Sequence, residues 1–189
     1  MEIIQERLER EYDLDIIVTA PSVEYEVVLI EGKTIKIDSP ADLPDEAIIA
    51  EIREPWMTIQ IFTPTEFYGT VMDLATKRRG NFTGQDYPAP NRVQLNFEIP
   101  LSELIVDFFD QLKSRTRGYA SLDYQFAEYR PDKLVKLEIL VNDEPVDALS
   151  MLVHRSAAEK RGRVMCEKLK ELIPRQQFDI AIQAAIGAK

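Results

Sequence analysis

One cysteine, Cys166, and one histidine, His154, stand among the 189 residues. A lone cysteine closes no intrachain disulfide, which excludes a small secreted scaffold held together by such bridges. One His and one Cys twelve residues apart in the sequence are not a metal-binding cluster, and Asp13-x-Asp15 lacks the further ligands of a calcium loop. The seven glycines form neither a Gly-x-x-x-x-Gly-Lys-Ser/Thr phosphate loop nor a Gly-x-Gly-x-x-Gly fingerprint. No Gly-x-Ser-x-Gly elbow is present. These absences leave no machinery for nucleotide hydrolysis or nucleophilic catalysis, so the chain reads as a non-enzyme. Apolar runs are short as well. Val27-Val28-Leu29-Ile30 stops at Glu31, far from the ~20 residues of a membrane span. Met1-Glu2 followed by a charged amphipathic stretch is not a signal peptide.

What is present is a folded composition, 45% hydrophobic and 30% charged, with 33 acidic against 23 basic residues and a net charge of −10. A net negative charge argues against nucleic acid as a partner, but the charge is unevenly spread. Residues 1–54 hold 15 acidic and 5 basic residues, residues 55–131 hold 9 and 8, and residues 132–189 hold 9 and 10. The acidity therefore belongs to the first segment. There, Ile3, Ile4, Leu8 and Tyr12 recur at helical spacing, Leu14–Thr19 and Val23–Ile30 read as strands, and Glu31-Gly32-Lys33 turns into a returning strand, Thr34–Asp38. These elements make a partial α+β domain, with 39–54 as its connector.

Residues 55–131 repeat one unit. Trp56–Phe62 alternates as a strand, and Thr63-Pro64-Thr65-Glu66 has the pattern of a helix start, with Thr63 as cap. Phe67, Val71, Leu74 and Ala75 form one helix face. A weaker strand, Asn81–Tyr87, precedes the strand Val93–Ile99. Leu101, Leu104, Ile105, Phe108, Phe109 and Leu112 then predict one continuous amphipathic helix, with Asp107 and Asp110 on its solvated flank, and Ala120–Phe126 closes the unit. The order β-α-β-β-α-β predicts a ferredoxin-like split βαβ domain within an α+β protein. Residues 132–189 predict a C-terminal α+β domain. A strand pair surrounds Asn142-Asp143, a helix spans 157–172 with Ser156 and Glu159 as its capping box, and Phe178–Ile186 reads as a buried apolar segment.

The candidate binding residues are basic. The two helices of the split βαβ unit end in Lys77, Arg78 and Arg79, and in Lys113, Arg115 and Arg117. With the first and third strands parallel, both ends would emerge at one pole and gather six cations there. One or two cations would complement a helix dipole; six suggest a surface for phosphates. Along the last helix, Lys160, Arg163 and Lys170 lie near one stripe, while Arg161 and Lys168 share a neighbouring one. His154 reads as a hydrogen-bonded structural residue or one facing RNA.

Particular stretches resemble the LepA family (elongation factor four), translational GTPases related to elongation factor G. Glu2–Tyr12 followed by Thr19-Ala20-Pro21-Ser22-Val23 resembles that family's third domain. Glu51-Ile52-Arg53-Glu54-Pro55 and Leu112–Ser121 resemble its fifth. Glu144–Ser150, Val153-His154-Arg155 and Leu169–Phe178 resemble its distinctive C-terminal domain, while Phe82–Pro90 fits only loosely. The resemblance implies a C-terminal fragment, lacking the GTP-binding domain and a basic tail, that needs no cofactor, whereas GTP and Mg serve the full-length family. It implies contact with ribosomal RNA near the factor-binding centre and with tRNA, adding Arg155 and His154 to the RNA-facing set. It also implies a role in back-translocation or translational fidelity under stress, a link to ribosome assembly, a cytoplasmic location, and peripheral association with the cytoplasmic face of the membrane. The alternative is a ferredoxin-like module that binds a small molecule or a protein and has no RNA role.

Overall fold

The computed structural model describes residues 23–173 and 180–187. The expected helix over 1–12 and strand Leu14–Thr19 lie outside the described residues, as do Pro174 and Phe178. Strands β1 (Tyr25–Leu29) and β2 (Thr34–Ile37) form the expected hairpin. It is closed at Gly32, whose φ of +85° is open to glycine without cost. Two short 3-10 turns follow, capped by the side chains of Ser39 and Asp45.

The region expected as a connector does not remain one. Residues 49–54 are the beginning of a 16-residue strand, β3 (Ile49–Pro64). Its first part pairs with β1, its later part with β5 (Arg92–Pro100), and its opposite edge with β6 (Ser121–Pro131). Arg53 stands opposite both Glu26 and Pro131, so β1 and β5 lie end to end along one edge of β3. The hairpin and the split βαβ unit therefore share a strand, and the boundary expected after residue 54 falls inside it.

Helix α1 (Tyr68–Lys77) crosses to β4 (Asn81–Ala89), which pairs with β5. The strand order β6-β3-β5-β4 is the ferredoxin-like arrangement. Ile59, Ile61, Val93, Leu95, Phe97 and Ile99 alternate inward and are fully buried against Val71, Ala75, Phe108 and Leu112 of the helices. Each such side chain contributes about 1.5–3 kcal/mol on leaving water. Two local expectations are corrected here. Thr63 caps nothing, because β3 runs on through Pro64 and buries the Thr63 hydroxyl without a partner. The long apolar stripe is two helices, α2 (Leu101–Leu104) and α3 (Phe108–Arg115), separated where Asp107 turns to φ +56°. The break restarts the helical phase, so Phe108 and Leu112 point into the core while Phe109 is left half-exposed.

The C-terminal unit is a second sheet. Strand β7 (Leu134–Val141) pairs with β8 (Glu144–Pro145) through the left-handed residues Asn142 and Asp143, a hairpin turn of the kind these residues favour. It also pairs with β9 (Met151–His154) on one edge and with β10 (Ile182–Ile186) on the other. Within the described part of the apolar stretch expected to be buried, β10 is instead a half-exposed edge strand, with Ile186 47% exposed. Helix α4 (Arg155–Leu172) lies across this sheet. A third apolar cluster joins the units: Val23, Tyr25, Val27 and Ile37 of the hairpin pack with Leu152, Leu101, Ile105 and Leu134.

Helix α4 approaches its sheet through a glycine. A Cβ on Gly162 would stand 2.8 Å from that of Ala184 in β10, closer than two carbons can pack. Gly162→Val should therefore lower stability by about 1–3 kcal/mol, although replacing a mid-helix glycine usually helps. Urea denaturation of the two proteins measures the difference.

Candidate functional site

The six helix-end cations do not share a pole. Strands β3 and β5 are antiparallel, so the helices that return from them are antiparallel too, and their C-termini point to opposite ends of the sheet. The expectation took the two strands as parallel, and their observed direction overturns it. Arg78, at the end of α1, meets Asp107 at the start of α3: its Nη2 donates to Asp107 Oδ1 at 2.5 Å. Arg115, at the end of α3, lies 3.7 Å from Asp73 in the body of α1, which also accepts from Lys77 at 2.8 Å.

Arg78 and Arg79 do not face solvent either; their side chains are 19% and 21% exposed. Both enter a cluster of carboxylates. Arg79 donates to Glu54 and to Asp132 and approaches Glu103, while Arg78 lies 3.6 Å from Glu103. Arg161 reaches Glu103 from α4 at 3.3 Å, and Ser102 donates to Glu54 at 3.2 Å. His154 Nε2 stands 3.2 Å from Asp132 Oδ1. Helix α1, strand β3, the α2 turn, the β6–β7 link and helix α4 thus meet in one network. Glu54 is 1% exposed.

The backbone aims Arg79 into this cluster. At the end of α1 the Gly80 amide donates to Ala75 O at 2.9 Å and that of Arg79 to Thr76 O at 3.2 Å, the paired bonds of a Schellman closure. Its left-handed seat, normally given to glycine, is held by Arg79 at φ +62°. Gly80 is needed because a Cβ there would stand 2.7 Å from the Ala75 carbonyl oxygen.

The charges respond to this setting. Burial pushes the Glu54 carboxyl above its ordinary range, and the Arg79 guanidinium beside it only partly offsets that rise. Burial also lifts the Tyr25 phenol to about 12, with Glu54 adding to the rise. Burial works against the Asp132 carboxyl as well, yet the Lys133 amide and the Arg79 guanidinium hold it below the ordinary range.

His154 is structural at both ring nitrogens. Nδ1 accepts from the Ser156 amide at 3.3 Å and lies 2.7 Å from its hydroxyl, so His154 caps α4. The capping box expected of Ser156 and Glu159 is not formed, and Glu159 accepts from Arg163 at 2.9 Å instead. The side chains of Lys160, Lys168, Lys170 and Arg155 are exposed, and none has an ion pair among the described residues. Glu159, Glu167 and Glu171 interrupt their row on α4.

At the opposite end of the sheet, Lys113 lies 5.5 Å over the Phe109 ring and donates to Gly118 O at 3.4 Å. Arg117 is exposed. The acidic members of the network were not legible as such: Asp107 looked like part of a solvated flank, and nothing local marks Glu54, Glu103 or Asp132. Among the described residues no group of His, Cys, Asp and Glu is arranged to hold a metal, and no helix is long and apolar enough to cross a membrane.

Residues 51–140 match the family model described as elongation factor G C-terminus, and residues 141–189 match that of the GTP-binding protein LepA C-terminus. Over all 189 residues the chain is 54% identical to elongation factor 4 of Streptococcus pneumoniae strain Hungary19A-6 and, equally, to that of strain JJA. It spans 31% of the length of each of these relatives.

Removing the Arg79 charge would strand Glu54 in the interior. Arg79→Met should cost about 3–5 kcal/mol, and a second change, Glu54→Leu, should restore most of the loss; chemical denaturation of the single and double variants tests this. Acidification should act through Asp132. Its depressed folded pKa supplies stability above the unfolded value of about 4, and this is lost as the pH falls through the folded one. Asp132→Asn should therefore flatten the acid side of the stability profile, read as the denaturation midpoint against pH.

Proposed function

We propose that this chain, which belongs to the LepA (elongation factor 4) family and carries that family's C-terminal elements, is the part of a translation factor that contacts the ribosome. The observation that carries this reading is identity at 54% along the entire chain with elongation factor 4 proteins. The geometry agrees in kind. Among the described residues several cations stand outside the internal ion pairs. Two groups of them bear on this reading, the exposed Arg155, Lys160, Lys168 and Lys170 around α4, and the exposed Arg117 with the half-buried Lys113 at the far end of the sheet, while Lys33, Arg92 and Lys133 are exposed without an ion pair as well. Arg78, Arg79, Arg161 and His154 leave the RNA-facing set because they hold the fold together, while Lys77, Arg115 and Arg163 stay at its margin, each beside a carboxylate.

The mechanism open to such a chain is binding and positioning. The two sheets, joined by the ionic network, act as one wedge that presents α4 to one RNA surface and the far end to another. tRNA contact, back-translocation under stress and peripheral attachment to a membrane belong to the same reading. Any timing by GTP lies with sequence outside these 189 residues, which contain no phosphate loop.

Co-sedimentation with ribosomes across a salt series tests the proposal. Lys160→Glu, Lys168→Glu and Lys170→Glu combined should weaken binding by roughly ten-fold or more at low salt and reduce its salt dependence. Glu26→Gln should change neither. Equal losses from both sets, or no ribosome binding by the unaltered chain, would remove the reading.

A further inference from the structure

We infer that His154 is a proton-operated joint between helix α4 and the ionic network: the neutral ring serves both at once, and the protonated ring exchanges the cap of α4 for a charged contact with Asp132. The joint is a property of the fold and stands apart from the ribosome-contact reading. Its neutral form follows from what faces each ring nitrogen. Nδ1 lies 3.3 Å from the Ser156 amide, and a backbone N–H can only donate. A lone pair therefore sits on Nδ1, and the single ring proton sits on Nε2. Nε2 stands 3.2 Å from Asp132 Oδ1, and an ionised carboxylate can only accept. Donor meets acceptor on both sides of the ring in this tautomer alone. Asp132 is itself fixed, since Oδ1 also accepts from the Lys133 amide at 2.7 Å and Oδ2 from Arg79. The Arg155 amide donates to Lys133 O at 2.8 Å, so the ring and one backbone bond tie the start of α4 to the β6–β7 link.

A second proton has one place to go, Nδ1. There it removes the lone pair that caps the helix, and the Ser156 amide loses its acceptor. The Ser156 hydroxyl lies 2.7 Å from Nδ1 and reverses its role, donating to the neutral ring and accepting from the charged one. The ring therefore keeps its place in both states. On its other side the bond from Nε2 to Asp132 becomes charge-assisted and stronger. Histidine is the side chain whose charge changes nearest neutral pH, so mild acid moves the hold of the ring from the first turn of α4 to the link between the sheets. The charged groups around it come from four elements. Asp132 and Lys133 belong to the β6–β7 link, Arg79 to the end of α1, Glu54 behind it to β3, and Arg155 to the head of α4. Leu134, opposite His154 on β7, is uncharged. Asp132, held below the ordinary carboxyl range, stays ionised through mild acid, whereas Glu54, raised by burial, is the second group that acid reaches.

Nitrogen and proton NMR of the full chain, titrated between about pH 8 and pH 5, is the test. At the alkaline end the His154 proton should sit on Nε2. Acid should add one on Nδ1, and the Ser156 amide signal should move with the same midpoint. His154→Asn, whose side-chain oxygen caps a helix without titrating, should leave the Ser156 signal still across the range. A double-mutant cycle of His154→Asn and Asp132→Asn, read by urea denaturation, should give a coupling that rises about two-fold from the alkaline to the acid end. A proton on Nδ1 at the alkaline end overturns the joint, as does a Ser156 signal that ignores the titration of the ring. A coupling that is the same at both ends overturns it too. Movement of the Ser156 signal in His154→Asn as large as in the unaltered chain would assign the response to Glu54 and remove His154 from it.

Discussion

The structure turns on a carboxylate that has almost no water around it. Glu54 is 1% exposed, and an isolated charge in such a place is intolerable unless a partner is brought to it. Arg79 is that partner, and the elements around it are arranged to deliver it: α1 closes on a strained arginine, Gly80 makes room beneath, and Asp132 takes the other side of the guanidinium. Because Glu103 extends the cluster to Arg78 and Arg161, the same need for compensation ties the second sheet to the first. Buried ion pairs are weak sources of net stability but severe when broken. The network therefore specifies one relative placement of the two sheets more than it strengthens either.

This arrangement divides the basic residues by role. Arg78, Arg79 and Arg161 resemble the surface arginines in sequence, and net charge gives no means of separating them. What separates them is the carboxylate that each one meets: Asp107, Glu54 and Glu103 come from distant segments, at separations of 29, 25 and 58 residues. The cations left after that pairing are fewer than the sequence offers. Several of them sit on α4 and at the far end of the sheet, and Lys33, Arg92 and Lys133 are likewise exposed without an ion pair among the described residues.

Much of the fold was legible because alternation and helical spacing report local burial. The ferredoxin-like order, the β1–β2 hairpin and α4 all follow from patterns within about fifteen residues. The errors came where the decisive contact is distant or backbone-specific. Apolar spacing from Leu101 to Leu112 is indifferent to the left-handed turn at Asp107, so one helix was expected where two stand. Thr63 and Ser156 carry capping chemistry, but β3 runs past Thr63, and the His154 ring reaches the Ser156 amide first. The shared pole of the helix ends failed for a topological reason, the antiparallel pairing of β3 with β5, which no helix sequence records. The acidic half of the network was invisible for the same cause as its basic half was misread.

Strand β3 has a mechanical consequence. At roughly 3.3 Å per residue its sixteen residues reach about 50 Å, and both of its edges are hydrogen-bonded over much of that length. A pull applied to the chain at the hairpin runs parallel to these bonded edges. It loads many hydrogen bonds in shear at once instead of peeling them apart singly. Displacement at the hairpin end therefore arrives at the opposite end of the sheet largely undiminished. The molecule is built as a stiff rod in that direction, able to convey position from one end to the other without unfolding in between.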